Sequence, residues 1–194
     1  TGMADLDEIE EMVSVARESG CENLILLHCI SSYPAPIEQS NLLTIPDLRK
    51  RLGIQIGLSD HSITNTASIV AVSLGATLIE KHFILDRNNK GPDSEFSIEP
   101  PQLKLLCNET KDAWMSLGKP GYERKPAEVS SLKYRRSVYF VDNLQSGDII
   151  KPEHLRRIRP ANGLPPKTEQ ELIGRRVNQD INFGTATSWD LIDE

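Results

Sequence analysis

The chain has little cysteine and none of it in pairs. Cys21, Cys29 and Cys107 are odd in number and form no Cys-x-x-Cys motif. That speaks against a disulfide framework and a zinc knuckle, and fits a reduced, cytoplasmic compartment. No apolar stretch approaches the roughly 20 residues that a membrane helix needs, so no membrane partner is expected. A basic surplus is missing too. Lys and Arg number 22 against 28 Asp and Glu, giving a net charge of −6 and a pI near 5.3. Nucleic-acid surfaces are normally basic, and no such partner is expected here. No signal peptide is visible. The chain opens on Thr1-Gly2-Met3 with no methionine at position 1, which reads as a piece of something longer.

What is present is a regular alternation. At 194 residues and 38% hydrophobic, the chain has room for one large domain or two modest ones. Asp5 followed by Glu8 forms a capping-box-like start, after which Ile9, Met12, Val13 and Ala16 share a helical face until Gly20. The apolar run "NLILLH" (23–28) follows, then a helical stretch around 42–52 and a second run, "IQIGLS" (54–59). A helix of small and apolar residues covers about 66–74. Gly75 precedes a third run, "TLIEKHF" (77–83), and a last helix spans about 100–117, with prolines in its first turn and Gly118 at its end.

Short continuous apolar runs alternating with helices predict a parallel sheet covered on both faces, hence an α/β fold. In a closed α/β barrel, catalytic groups sit at the C-terminal strand ends. His28, Ser59-Asp60-His61 and Glu80-Lys81-His82 all lie at such ends and would share one rim. Glu80 and His82, two residues apart on one strand, are expected on the same face, with Lys81 turned outward toward a helix or solvent. Three βα units do not close a barrel, so an open doubly wound sheet is the alternative pattern. No Gly-x-Gly-x-x-Gly or Gly-Lys-Ser/Thr loop follows any of the runs, which weakens a nucleotide-binding reading.

After Gly118 the character changes. Residues 119–133 are rich in Pro, Gly and charge with no apolar period, and read as a linker. Residues 134–194 hold a short strand, a turn at Ser146-Gly147, and a helical turn near Pro152. The remainder is turn-rich and short of helix, so a second, mostly irregular β domain is expected, small but feasible.

Five segments in order carry a resemblance: "LLHCISSYPAP", "GLSDHS", "GATLIEKHFILDR", "GPDSEFSIEP" and "RRIRPANG". With these the chain resembles the sialic acid synthase family, the makers of nonulosonic acids. That family couples a TIM (β/α)8 barrel to an antifreeze-like (SAF) domain. The resemblance implies that residues 1–118 are the C-terminal βα units of the barrel, without its front half, and that 134–194 are the SAF domain. It also implies a reaction: phosphoenolpyruvate condenses with the open-chain aldehyde of an N-acetylated amino sugar, water adds, and phosphate leaves.

The resemblance assigns residues as well. His61 and His82, 21 residues apart in the sequence, become ligands of Mn2+ or Mg2+, a hard cation able to polarise the aldehyde. Two histidines at strand ends could otherwise be structural. Glu80 becomes the catalytic carboxylate beside the sugar, the bland reading being a carboxylate paired with Lys or Arg. Ser59 is implied in phosphate contact, or else caps the next helix, and Asp60 is a comparably ambiguous substrate contact. Asp93 is placed on sugar hydroxyls. Arg159 would reach the sugar's acetamido group from the SAF domain of a partner, with Arg135 and Tyr139 lining the same lid. The partner expectation is therefore a domain-swapped homodimer. His28 reads as a polar rim residue rather than a metal ligand.

"PDSEFSIEP", "RRSVYFV" and "RRIRPANGL" look more like pseudaminate than N-acetylneuraminate enzymes. The expected sugar is therefore a 2,4-diacetamido-2,4,6-trideoxy altrose, with neuraminate or legionaminate synthesis as the alternative. From other classes, a non-catalytic carbohydrate- or ice-binding module around 134–194 is disfavoured by His61, Glu80 and His82. A keto-deoxy-octulosonate phosphate synthase is disfavoured by the antifreeze-like tail. If these residues are all there is, no turnover is expected, because the phosphate-binding front half is missing.

Overall fold

A computed structural model describes residues 1–193, which divide into two compact units, Thr1–Pro120 and a second from Gly121 onward. The first unit is α/β. Helix α1 (Leu6–Glu18) starts at Asp5, whose carboxylate accepts from the Glu8 N–H at 3.0 Å while Glu8 accepts from the Asp5 N–H at 2.9 Å. This is the reciprocal cap anticipated from the sequence. Its Ile9 and Val13 are buried, whereas Met12, expected on the same face, is exposed.

Strands β1 (Ile25–Cys29), β2 (Gln55–Asp60) and β3 (Ile79–Lys81) form a parallel sheet in the order β1-β2-β3. Helix α2 (Thr44–Leu52) joins the first two, closing on Gly53 in the left-handed conformation that glycine adopts without a Cβ clash. Helix α3 (Thr66–Ser73) joins the second pair. Helix α4 (Pro100–Leu117) begins with two prolines, where a missing N–H costs nothing. The three apolar runs of the sequence are thus the three strands.

Period-two alternation divides each strand between two faces. Leu26, Ile56 and Leu58 turn to one face and pack with Ile45 and Leu48 of α2, Ala67 and Ala71 of α3, and Ile9 of α1. Fully burying an aliphatic side chain of this size contributes roughly 1.5–3 kcal/mol, so this layer is the unit's main source of stability. The opposite face carries Gly57, Ser59 and Glu80, the last two directly paired. At Gly57 the backbones crowd: a Cβ there would lie 2.5 Å from the Leu78 carbonyl oxygen and 2.6 Å from Leu27 Cδ2.

The second unit has its own core of Val138, Phe140, Leu144, Ile150, Leu155, Leu172, Val177, Ile181 and Ile192. Strands β4 (Ser137–Phe140) and β5 (Leu155–Ile158) pair antiparallel. Isolated bridges such as Leu144 with Ile181 and Val177 with Ile192 close the rest, beside a one-turn helix α5 (Glu169–Leu172). Residues 126–134, within and just past the stretch expected as a linker, form 3-10 turns. Among the described residues no helix is long and apolar enough to cross a membrane.

Candidate functional site

The site is built where β2 and β3 end. Ser59 and Glu80 are partners in the register, and the Ser59 hydroxyl donates to Glu80 Oε1 at 2.7 Å. One step further along each strand face come His61 and His82, whose ring centroids lie 5.3 Å apart. The sequence expectation that Glu80 and His82 share a face therefore places four polar groups together.

Each imidazole is oriented by its surroundings. His61 Nδ1 lies 2.9 Å from the Ile30 carbonyl oxygen, which can only accept, so Nδ1 carries the proton. In the neutral ring that leaves a lone pair on Nε2. Ser59 Oγ is 3.3 Å from this nitrogen, but its one proton is given to Glu80. The Nε2 lone pair is thus free for another electrophile. His82 Nδ1 lies 3.5 Å from Asp93 Oδ2, a contact that brings the loop aspartate to the same rim. A carbonyl or carboxylate behind the ring is the usual support of a metal-ligating histidine.

The donor set is small. Among the described residues, no group of three or more His, Cys, Asp and Glu side chains is arranged to hold a metal ion. Two imidazoles fit a divalent cation whose other positions are filled by water and substrate oxygens.

Two aromatic rings complete the rim, and the sequence analysis singled out neither. Tyr33 lies 4.4 Å from the His61 ring and 5.8 Å from His82, and Phe96 lies 4.9 Å from His82. Their segments, "SSYPAP" and "SEFS", were in view, yet nothing local marks a ring that will meet a histidine 28 positions on, as Tyr33 meets His61, or 14 positions back, as Phe96 meets His82.

Other expectations need correction. Asp60 does not face the rim. Alternation turns its carboxylate to the helix-covered side, where it accepts from Ser68 Oγ at 2.6 Å, the Ser62 N–H at 2.8 Å and Lys81 Nζ at 2.9 Å. With these bonds made it has little capacity left for substrate. Burial alone would push this carboxyl up; the bonds from Ser68 and Ser62 and the Lys81 ammonium outweigh it, and it sits below the ordinary carboxylate range. Lys81 is helix-facing and not solvated, its side chain only 2% exposed. His28 is likewise no rim residue: it pairs in register with Leu58, is buried, and its Nε2 lies 2.8 Å from the Ser40 carbonyl. Ser59 does not cap α3, whose N-cap is Asn65.

In the second unit, Tyr139 is buried with its hydroxyl donating to the Pro160 carbonyl at 3.1 Å, a core position rather than a lid. Arg159 is exposed in the loop after β5. Arg135 is exposed as well and lines a cavity of about 870 Å³ with Arg124, Lys133, Arg136 and Lys167. The neighbouring Arg157 is held in an ion pair with Glu169.

Comparison with known proteins identifies the family. The NeuB family profile matches residues 1–122. The chain belongs to the NeuB family. The resemblance seen in the motifs is borne out at that level. A pseudaminic acid synthase of Campylobacter jejuni is 36% identical over 186 residues, covering 96% of this chain and 54% of the relative. An N,N'-diacetyllegionaminic acid synthase of the same species is also 36% identical, over 178 residues, covering 90% and 53%. The chain spans about half the length of the curated relatives it matches. Among solved structures, an N-acetylneuraminic acid synthetase of Leptospira borgpetersenii in complex with citrate is 39% identical. It superposes with a TM-score of 0.61 over 69% of this chain and 47% of that one. NeuB relatives named for different sugars thus share the same level of identity with this chain.

Proposed function

We propose that this chain carries the aldehyde-activating part of a nonulosonic acid synthase, which condenses phosphoenolpyruvate with an N-acetylated amino sugar and releases phosphate. The observation that carries the reading is the convergence of His61, His82, Glu80 and Ser59 on one face at the C-terminal ends of two neighbouring parallel strands. Such strand ends are where (β/α)8 barrels build their active sites, and unit 1 is read as the C-terminal βα units of one. His61 and His82 hold Mn2+ or Mg2+ in this reading. When bound, the cation supplies Lewis-acid polarisation of the sugar carbonyl.

The chain's own residues do the rest. Glu80, hydrogen-bonded by Ser59 and open to solvent on the rim, is positioned to move a proton at the reacting centre. The Ser59 hydroxyl holds that carboxylate in place and can donate to a phosphate oxygen once Glu80 releases it. Asp93 orients His82 and accepts from sugar hydroxyls. Tyr33 and Phe96 supply apolar walls that suit a deoxygenated, acetamido-bearing sugar, which favours the 2,4-diacetamido-2,4,6-trideoxy altrose over N-acetylmannosamine.

The second unit is read as the antifreeze-like domain of a domain-swapped homodimer in the cytoplasm. Arg159 serves the acetamido carbonyl of the partner's sugar, as an Arg fork can without a counter-charge. Arg135, among four other cations, suits the anionic end of the reactants.

The test is phosphate release from phosphoenolpyruvate by the complete open reading frame with Mn2+, run with the diacetamido altrose and N-acetylmannosamine side by side. Release with the first only supports pseudaminate synthesis. Release with the second only keeps the reaction class and overturns the sugar. No release with either sugar or with a legionaminate precursor overturns the reading.

A further inference from the structure

His61 and His82 lie just beyond the paired part of the sheet. The β2–β3 register runs from Leu58 with Ile79 through Ser59 with Glu80 and stops at Asp60 with Lys81. The histidines are the next residue on each strand, so no rung of this pairing fixes the distance between them.

What joins the two strand ends lies behind them. Lys81 Nζ donates to Asp60 Oδ2 at 2.9 Å, to the Ser62 carbonyl at 2.6 Å and to the Thr64 carbonyl at 3.2 Å. Asp60 in turn holds the Ser62 N–H and the Ser68 hydroxyl of α3. One ammonium from β3 therefore grips the chain on both sides of His61. Both charged side chains are 2% exposed.

A buried pair of this kind is poorly explained by stability alone, because well-packed apolar residues of similar volume often do as well or better; fixing register is the better-attested use. Here the direction of the bonds matters. An apolar side chain at position 81 would fill the space but would leave the Ser62 carbonyl without its donor, the Thr64 carbonyl with only the Ser62 hydroxyl at 3.1 Å, and the loop carrying His61 without its tether to β3.

We propose that Asp60 and Lys81 are positioning residues, whose buried bond sets the spacing and orientation of the His61 and His82 imidazoles. This inference rests on the site reading above. Neither residue touches substrate or cation; each acts through the histidine that follows it.

The test uses the full chain and three variants. Lys81→Met and Asp60→Asn each strand one buried charge and can lose the fold, so the double variant Asp60→Asn/Lys81→Met, which strands none, is measured beside them. Two readouts are taken: ring resonances of the four histidines by NMR without metal, and Mn2+ affinity from the electron paramagnetic resonance of free Mn2+. In the double variant the His61 and His82 rings are expected to shift while His28 and His154 stay. Mn2+ affinity should fall about tenfold or more, as for outer-shell partners of metal ligands. Unmoved His61 and His82 rings with Mn2+ affinity within about twofold of wild type overturn the proposal and leave the metal reading standing. Moved rings in a protein whose wild type binds no Mn2+ support the positioning role and remove the metal from the site.

Discussion

The Ser59 hydroxyl and the Glu80 carboxylate meet at 2.7 Å across a β2–β3 rung. A strand pairing thus delivers a held carboxylate, with a histidine one step beyond on either side. Because the bond is made between directly paired residues, it is set by the sheet and not by a loop.

Glu80→Gln keeps the shape and the bond to Ser59 but removes the carboxylate that the proposed reaction uses to move a proton. We expect turnover of the complete enzyme to fall by about 10²–10⁴ with substrate KM little changed, the usual size of a general acid–base contribution. Ser59→Ala should cost less, since it frees Glu80 without removing it. Steady-state phosphate release measures both, and a Glu80→Gln enzyme at wild-type rate would remove Glu80 from the chemistry.

Gly57→Ala should destabilise the first unit. The new methyl meets the Leu78 carbonyl, which already accepts from the Leu58 N–H at 2.9 Å, so relief requires β2 and β3 to part. Overpacking of this sort costs about 1–3 kcal/mol. Urea unfolding followed by far-ultraviolet circular dichroism gives the value, and an unchanged midpoint would contradict the close approach.

How much of this was legible in the sequence depends on the kind of signal. The strands and α4 could be read because glycine and proline punctuate them, and the Asp5–Glu8 cap because its partners are three residues apart. That Glu80 and His82 share a face followed from alternation, and Ser59 and His61 joined them as residues at the end of the neighbouring apolar run. The same alternation puts Asp60 on the other face, yet reading Ser-Asp-His as one motif hid that. Tyr33 and Phe96 were not legible, since ring contacts across distant segments leave no periodic trace. Nor were the scattered bridges of the second unit, where the pairing partners lie 15 to 47 residues apart.

Asp60 makes the first unit sensitive to acid. Its folded carboxyl lies below the ordinary range, so its contribution is fully present above the unfolded value and is lost as pH falls through about 4 and below. Asp60→Asn should flatten this limb of the stability curve. At neutral pH it should cost about 3–5 kcal/mol, because Lys81 is left buried without its counter-charge. Denaturant midpoints measured between pH 3 and 7 check both effects: an Asp60→Asn curve parallel to wild type would refute the flattening, and one superimposed on wild type would refute both.

The most direct test of the whole account is a metal titration of phosphate release. The complete enzyme is stripped with chelator, given phosphoenolpyruvate and amino sugar, and titrated with Mn2+ beside His61→Ala and His82→Ala. The account predicts that wild type recovers turnover with added Mn2+ and that either substitution abolishes recovery at the same concentrations. Turnover that survives chelation, or a His82→Ala enzyme that recovers like wild type, would contradict the claim that these two facing imidazoles hold the cation the reaction needs.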